Sequence, residues 1–546
     1  MAKVPEAADG AAQDKLPDPG HLPAWSVGEM PAPAPFTWKT VAAAIGPGII
    51  MLGGSIGTGE WLMGPAVTVK FQGQMLWIAT LAIILQSMLN CEVVRYALAT
   101  GEPIFTGYLR SKPGPRFWSI IYLMCDFGIF FPAFAGALAQ LLVAAYLGEG
   151  NPVTKEHNTA IMLVGVSVAL ISFALTLFGG KIYNTMLACM TFKVIWVLVF
   201  LLFVDIILVS PEQWMRLVRG FFFPFDGNGL MIPKGLRLDV FAVIAGFAAF
   251  AGAGGLSNAT MSNYAREKGW GMGAHVGCIP SAVGGAAVEL SPLGTIFRIT
   301  PEAMRRWKMW WQHIHFDQYV VWVIGCFAGV IFPAAMSLGV LSMGPDGKID
   351  QMQIASMQAQ GIADAVGGRW PGLRMLFWYL TLFTGFLIIW FTLLQALDHT
   401  TRRWTDILWT SSSKARDAAG GAGVKKIYYG IAFAYAIINC VVLIANTFVG
   451  STPLQIVLLT AVSQGFATGV TALHTLYVNR RFLPKPLHAP IWREVGLVLC
   501  ALFYFSMTTL AVYPKVRDAF MPQAAESAMA APAAVHTARA GGETVR

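Results

Sequence analysis

The sequence has few charged residues. Of its 546 residues only 12% are Asp, Glu, Lys or Arg, whereas 56% are hydrophobic. Soluble domains carry about 25% charged residues, so this composition excludes a soluble globular protein. The mean hydropathy of +0.58, the 18 Trp and the 35 Phe are typical of a chain with large lipid-facing and interfacial surfaces. The composition therefore predicts an integral protein of a lipid bilayer.

Several signatures of chemistry are also absent from the sequence. The seven cysteines form no CxxC pair and no zinc-finger spacing, which indicates small core residues. The sequence contains no Walker loop, catalytic-triad motif or His-rich metal cluster, and no secretory signal peptide. We therefore expect neither an enzyme nor a protein with a bound cofactor.

Long apolar runs dominate what is present. A membrane-spanning helix needs about 20 apolar residues, and about eleven such runs occur. They cover 41–69, 75–98, 117–147, 159–178, 184–209, 239–264, 317–342, 375–397, 427–447, 453–477 and 493–513. A twelfth run, 274–297, is rich in glycine and contains Glu289, which favours a loop or re-entrant segment. The pattern predicts an all-α transmembrane domain over 39–513, between disordered tails at 1–38 and 514–546.

Basic residues lie mainly in the short loops on one side of the predicted spans. If the N-terminus is cytoplasmic, the inner loops contain most of them, as the positive-inside rule requires. These are Arg110, Lys112, Arg116, Arg266, Lys268, Arg305, Arg306, Lys308, Arg402, Arg403, Lys414, Arg416, Lys425, Lys426, Arg480, Arg481 and Lys485. The net charge of +9 thus indicates topology rather than nucleic-acid binding. We expect a bacterial inner-membrane protein with its N-terminus in the cytoplasm and its C-terminus outside.

Two predicted spans are interrupted by glycines at matching positions. Span one contains GGSIGTGE at 53–60, and span six contains AGAGGLSN at 251–258. An offset of five spans inverts the second copy in the membrane, which is typical of inverted-repeat transporters with a binding site at the breaks. The two repeats would cover 39–210 and 238–478, followed by an extra helix at 493–513. Glycines that permit close helix packing or a simple kink are the structural alternative.

Glu60 is the leading candidate for binding at these breaks. An ionised acid in the middle of a bilayer costs about 2.5–3.5 kcal/mol on insertion scales, so it requires a partner. An unwound helix also frees backbone groups that lipid does not satisfy. The candidate binding residues are Gly57, Thr58, Glu60, Ala253, Gly254, Ser257, Asn258 and Gln464. Alternatively, Glu60 ends a short half-helix in water and Asn258 caps the resumed half-helix.

Other polar residues also lie within predicted spans. Asp126 lies near the start of span three. It is interpreted either as part of a proton or ion path or as a solvated residue at the inner face. Glu60 is a second candidate for such a path. Glu92 and Arg95 lie three residues apart on one helix and are predicted to pair. Lys193 in span five is interpreted as snorkelling or paired rather than as a substrate ligand.

Four motifs resemble those of the Nramp family of proton-coupled divalent-metal transporters. GPG followed by GTGEW resembles the family's first span, where Asp-Pro-Gly-Asn follows Gly-Pro-Gly after eight residues; eight residues also separate Gly48 from Gly57. RYALATG at 95–101 resembles the end of span two, and DFGIFFPAFAGALA, which begins at Asp126, resembles span three. SQGFATGVTAL resembles the span-ten segment that holds a glutamine, here Gln464. The resemblance implies a leucine-transporter-like 5+5 inverted-repeat fold, a divalent metal substrate and a proton relay at Asp126.

The departures from the family pattern fall on its metal site. The family's metal-binding aspartate falls on Gly57, its proline on Thr58 and its asparagine on Glu60. Its selective methionine in span six falls on Leu256, and its histidine falls on Asn258. Carboxylate, carbonyl and amide oxygens suit hard cations, whereas a thioether suits softer metals. With Glu60, the Ala253 carbonyl and Asn258 as metal ligands, we expect a hard divalent ion such as magnesium or manganese.

Three functions are compatible with these residues. The first is a secondary transporter that imports a divalent metal ion, with proton symport. The second is a transporter of the same fold for an organic solute such as an amino acid or amine, in which Glu60 faces the amine. The third is a sensor without transport, or a channel-like pore. The oligomeric state stays open.

Overall fold

Apolar helices form most of the structure, which is a computed structural model. It describes residues 17–37, 39–40, 45–177, 182–223, 225–226, 229–230, 232, 240–279, 290–341, 354–420, 423–449 and 453–520. Within these ranges, eight helices are long and apolar enough to cross a membrane, by length and composition. The predicted all-α integral membrane protein is therefore confirmed. The number of eleven spans and the inverted repeat stay predictions.

In the described part of the first half, one strand is followed by a series of helices. The elements are β1 (Ser26–Gly28), α1 (Pro47–Ser55), a wide helical turn (Gly59–Met63), α2 (Gly64–Phe71), α3 (Trp77–Thr100), α4 (Ile104–Arg110), α5 (Pro115–Asp126), a 3-10 turn (Phe127–Phe130), α6 (Ala133–Leu147), α7 (Asn158–Thr176), α8 (Ile182–Leu208), α9 (Pro211–Phe222), β2 (Phe225–Asp226) and β3 (Gly229–Leu230). Proline opens α1, α5 and α9, where the missing N–H is not needed. Gly101 ends α3 with a left-handed backbone (φ +70°).

The described part of the second half is also mainly helical. Its elements are α10 (Phe241–Phe250), α11 (Leu256–Glu267), β4 (Thr295–Phe297), α12 (Pro301–His315), a wide helical stretch (Phe316–Val323), α13 (Ile324–Val340), α14 (Ile354–Arg369), α15 (Arg374–Ser411), α16 (Ser413–Ala419), α17 (Gly423–Val449), α18 (Pro453–Phe482) and α19 (Ile491–Phe520). Thr300 accepts a hydrogen bond from the Ala303 N–H and caps α12.

The long helix α15 lies at the centre of the bundle. It packs against α6, α8, α14 and α17, while α1 packs against α8 and α3 packs against α11. The outer faces of α7 and α8 expose apolar side chains, among them Leu163, Ile171, Ile195 and Val199. Such faces are expected to contact lipid. The arrangement surrounds the two interrupted helices with protein.

The predicted N-terminal tail needs a correction. Residues 17–36, which we call the N-terminal strap, are packed against the bundle rather than disordered, and Leu22, Trp25 and Met30 are buried. Strand β1 pairs in parallel with β4, with Ser26 opposite Thr295. The Ala/Pro-rich composition of this segment disfavours independent structure. Pairing with β4 and contacts to α4 and α12 hold the strap in place instead.

Two further predicted segments, the C-terminal tail and the loop at 274–297, are only partly covered by the described residues. The sequence predicts a disordered tail from residue 514, but α19 continues to Phe520, and residues 521–546 lie outside the described part of the chain. The proposed loop or re-entrant segment 274–297 is described only at its ends. These ends hold a 3-10 turn (Gly271–His275) and β4, which agrees with the loop interpretation there.

Candidate functional site

The first span breaks at the predicted glycines. Helix α1 ends at Ser55, and the wide turn that leads into α2 begins at Gly59. A Cβ on Gly54 would overlap the side-chain amide of Gln395 on α15. Glycine therefore lets the backbone of the break approach α15 closely.

The sixth span breaks between α10 and α11, at Ala251–Gly255. Gly254 and Gly255 have positive φ angles of +66° and +59°, which L-residues with a side chain rarely adopt. Their freed N–H groups have partners: Gly254 donates to Gln86 Oε1 at 2.9 Å and Gly255 donates to Thr468 Oγ1 at 2.6 Å. The break thus persists because α3 and α18 satisfy it.

The two breaks face one small cavity of about 30 Å³, room for one or two water molecules. Its wall is built by residues of both breaks and of α15, with single residues from other elements. They are Met51, Gly54, Ser55, Gly57, Thr58, Gly59, Glu60, Ile129, Phe134, Phe250, Gly252, Ala253, Ser257, Thr392, Gln395, Ala396, His399 and Gln464. The two interruptions predicted from the sequence therefore meet.

Glu60 lies on this wall with only 4% of its surface exposed. Its Oε2 accepts a hydrogen bond of 2.8 Å from the Gly57 N–H, which the break has freed. The carboxylate therefore caps the interrupted backbone. The same side chain therefore both bonds the interrupted backbone and lines the cavity.

Six of the eight predicted binding residues line the cavity. They are Gly57, Thr58, Glu60, Ala253, Ser257 and Gln464. Gly254 and Asn258 do not. The Asn258 side-chain amide donates to Gln86 Oε1 at 3.1 Å and to Asn90 Oδ1 at 2.8 Å. Asn258 is thus turned toward α3, because that helix offers buried acceptors, and it does not join Glu60 and Ala253 on the wall.

The cavity wall also contains residues of α15 that the sequence pattern did not indicate. Thr392, Gln395, Ala396 and His399 follow the i, i+3, i+4, i+7 spacing of one helical face. The predicted span ended at residue 397, since Arg402 and Arg403 resemble an inner loop. Helix α15 instead runs to Ser411. The i, i+3, i+4, i+7 spacing of these four polar and small residues is the sequence signal that could have identified this face.

The charged residues in the C-terminal part of α15, beyond the predicted end of the span, are paired inside the protein. Arg403 donates to both oxygens of Asp126, at 2.6 and 2.7 Å, and Trp404 Nε1 donates to Asp126 Oδ2 at 2.7 Å. All three residues are largely buried. Asp126 is therefore not solvated at the inner face, and the fixed ion pair joins α5 to α15.

A second group of ion pairs joins α11 to α15. Arg266 donates to both oxygens of Asp406, at 2.7 and 3.0 Å. Arg402 lies 3.1 Å from Glu267 Oε1 and 2.9 Å from Asp398 Oδ1. The half-helix that follows the second break is thus held against α15.

Two sequence interpretations of charged residues are supported by contacts. Arg95 Nε donates to Glu92 Oε2 at 2.7 Å, which confirms the predicted pair. Lys193 is paired rather than exposed: its ammonium donates to the carbonyl oxygens of Gly53 (2.6 Å) and Ile388 (2.8 Å) and to Thr392 Oγ1 (2.8 Å). Lys193 therefore donates a hydrogen bond to one of the carbonyls freed at the first break.

The acidic and soft ligands at the site are few. Within the described ranges, no three His, Cys, Asp or Glu side chains come together as a metal-binding group. In the same ranges, three polar side chains on the wall have atoms without a hydrogen-bond partner: Thr58 Oγ1, both ring nitrogens of His399, and both amide atoms of Gln464. A cation here would depend on Glu60, hydroxyl, amide and backbone oxygens, and the imidazole.

Several solved structures share this fold. A mutant of the manganese transporter of Eremococcus coleocola aligns with a TM-score of 0.56 at 16% identity, covering 92% of this chain and 93% of that chain. The same transporter in complex with an aromatic bis-isothiourea substituted compound gives a TM-score of 0.58 at 15% identity, covering 93% and 94%. MhsT in complex with L-phenylalanine gives 0.50 at 12% identity, covering 88% and 100%. The chain therefore has the overall fold of these solved proteins, as the sequence predicted.

Sequence similarity is far more limited. No family model matches the chain. An uncharacterized protein of Pasteurella multocida is 29% identical over 140 residues, which cover 25% of this chain. The match spans only 30% of that relative's length.

Proposed function

We propose that the chain is a secondary active transporter that imports a divalent metal cation, and that it belongs to a divergent branch of the Nramp family. The observation that carries the proposal is the position of Glu60. Its buried carboxylate lies at the first break and lines the cavity that the second break also lines. A charged ligand between two interrupted helices is the arrangement expected for a midplane transport site.

The oxygen atoms around the cavity fit a metal cation. Glu60 offers a carboxylate, Thr58 and Ser257 offer hydroxyls, Gln464 offers an amide, and Ala253 offers a backbone carbonyl. Hard divalent ions bind such oxygens in sets of six or so, often with retained waters. The space of about 30 Å³ suits an ion that has lost most of its hydration shell, and it is far smaller than an amino acid.

We propose that metal import is coupled to proton symport. Ile129 and His399 lie on the cavity wall. Asp126 precedes Ile129 by three residues and Arg403 follows His399 by four, so the Asp126–Arg403 pair lies about one helical turn from the cavity on both helices. An ionisable pair this close to a transport site is a candidate proton path. Asp126→Asn is expected to uncouple metal uptake from an imposed pH gradient.

We propose a bacterial inner-membrane protein with a cytoplasmic N-terminus and an external C-terminus, without enzyme activity or a resident cofactor. The metal is the substrate, and protons and the lipid bilayer are the other partners. The exposed basic residues of the predicted inner loops, such as Arg305, Arg480 and Arg481, support this orientation.

Uptake by the purified wild-type protein in liposomes tests the substrate class. A metal-sensitive dye inside the vesicles reports the entry of Mg²⁺, Mn²⁺, Fe²⁺, Zn²⁺ or Ca²⁺. Saturable entry of at least one ion supports a metal transporter. Thermal stabilisation by an amino acid or amine, without metal entry, supports the organic-solute alternative, and flux that does not saturate supports a pore.

A further inference from the structure

His399 is an imidazole on the wall of the transport cavity. It lies on α15, seven residues after Thr392 and four after Gln395, on the face that lines the cavity. Only 4% of its surface is exposed. No sequence motif pointed to it.

The ring of His399 has unused bonding capacity. Neither Nδ1 nor Nε2 has a hydrogen-bond partner among the described residues. Another buried imidazole on α18 is fully used: His474 Nδ1 lies 2.7 Å from the Tyr122 hydroxyl, and Nε2 lies 3.0 Å from Ser111 Oγ. Since buried polar atoms are normally hydrogen-bonded, an unpartnered one calls for an explanation, and binding of a ligand is one such explanation.

Two further side chains on the wall of this cavity have unpartnered polar atoms. Thr58, at the first break, leaves its hydroxyl unpartnered, and Gln464 on α18 leaves both amide atoms unpartnered. Both side chains are at least 97% buried and both line the same cavity as His399 and Glu60. Three elements therefore contribute side chains with unpartnered polar atoms to one cavity wall.

The charges near His399 do not exclude a cation. The two arginines that follow on α15, Arg402 and Arg403, are each paired with a buried carboxylate. Lys193, on the other side of Thr392, is held by two carbonyls and a hydroxyl. The Glu60 carboxylate is the acidic group of the wall itself. A cation in the cavity meets one carboxylate and an imidazole whose lone-pair nitrogen is not already engaged by a protein donor.

We propose that His399 supplies a nitrogen ligand to the transported cation, so that the site selects first-row transition metal ions over Mg²⁺ and Ca²⁺. The inference rests on the proposed function, because it names a ligand of that same site. Imidazole binds transition metals well, whereas Mg²⁺ and Ca²⁺ prefer oxygen ligands. The nitrogen donor thus shifts the choice away from the purely oxygen-based site expected from the sequence.

Pulsed electron paramagnetic resonance on bound Mn²⁺ tests this ligand directly. Wild-type protein is prepared with natural-abundance nitrogen and with ¹⁵N-histidine, in detergent, and loaded with MnCl₂. A coordinated imidazole gives ¹⁴N modulation that changes to the ¹⁵N pattern in the labelled sample. His399→Gln is expected to lose the modulation, and to weaken Mn²⁺ binding by about tenfold or more.

A matched variant and a selectivity measurement complete the design. His474→Gln replaces a buried histidine outside the cavity and is expected to keep the modulation. Competition with Mg²⁺ is expected to favour Mn²⁺ and Co²⁺ by about tenfold or more in the wild type, with the preference reduced in His399→Gln. Bound Mn²⁺ without nitrogen modulation in the wild type overturns the His399 ligand alone. Absence of any saturable Mn²⁺ or other divalent-ion binding overturns the proposed function as well.

Discussion

The ammonium of Lys193 on α8 donates to the carbonyl oxygen of Gly53 on α1, 2.6 Å away. The same ammonium reaches the Ile388 carbonyl and the Thr392 hydroxyl on α15, both at 2.8 Å. One buried cation therefore joins three helices at the first break. It supplies the donors that a carbonyl freed from its helix requires.

Replacing Lys193 is expected to loosen the first break. Lys193→Met keeps the length of the side chain but removes the donors to three oxygens. Since a hydrogen bond to a charged group contributes about 1.5–3 kcal/mol, we expect a measurable fall in the thermal denaturation temperature and loss of metal uptake. Lys70→Met, at an exposed position on α2, is the matched control and is expected to keep both. Unchanged stability and uptake in Lys193→Met would contradict the bridging role.

The second break is expected to require glycine at residue 255. Gly255 has φ +59° and ψ −145°, a region that costs a residue with a side chain about 1–3 kcal/mol, and its Cβ would overlap the Gln464 amide. Gly255→Ala should therefore lower the thermal stability and abolish saturable uptake. Gly430→Ala on α17, where a Cβ meets no atom within 4 Å, should leave uptake intact. Normal uptake by Gly255→Ala would show that the second break does not require glycine at this residue.

The Asp126–Arg403 pair is expected to stabilise the bundle strongly. Asp126→Asn leaves the Arg403 guanidinium buried without its counter-charge, and breaking a buried pair in this way costs about 3–5 kcal/mol. Thermal denaturation in detergent measures the loss. Glu302→Gln disrupts the exposed pair with Arg305 on α12 and is expected to change the denaturation temperature little. Equal, small shifts in the two variants would argue against a structural role for the buried pair.

Acid is expected to release the N-terminal strap. Burial alone would raise the pKa of Glu102, but the Arg110 guanidinium and hydrogen bonds from Tyr96 and Gly294 lower this pKa below 4.5. Arg110 also donates to the strap carbonyls of Pro19 and Pro23. Because the folded pKa is depressed, this stabilisation is present above pH 4.5 and is lost as the pH falls through the folded pKa.

Hydrogen exchange of the strap measures this effect. Amide protection over residues 22–30, corrected for intrinsic exchange rates, should be constant above pH 4.5 and fall at lower pH. Glu102→Gln should show low protection with no transition in this window. The same profile in the wild type and the variant would mean that Glu102 does not control the strap.

The sequence predicted the two breaks because glycine leaves a visible mark where a helix unwinds. The carboxylate of Glu60, isolated in an apolar run, was equally visible. These local signals located six of the eight predicted residues on one cavity wall. The fold class followed from apolar runs of membrane length.

Other parts of the site depend on contacts between distant residues. Arg402 and Arg403 suggested the end of a span, and only their partners Asp398 and Asp126 show why α15 continues past His399. Asn258 turns away from the cavity because Gln86 and Asn90 accept from it. The strap is ordered because β4, some 270 residues away, pairs with β1. Local patterns do not reveal such partners.

Uptake of Mn²⁺ by wild type, Glu60→Gln and Glu302→Gln, reconstituted at equal density in the same lipid, tests most directly whether Glu60 binds the transported cation. Both variants exchange a glutamate for its neutral amide, one on the cavity wall and one on the exposed face of α12. We expect saturable uptake in the wild type and in Glu302→Gln, and a reduction of at least about tenfold in correctly folded Glu60→Gln. Wild-type uptake by Glu60→Gln would contradict the assignment.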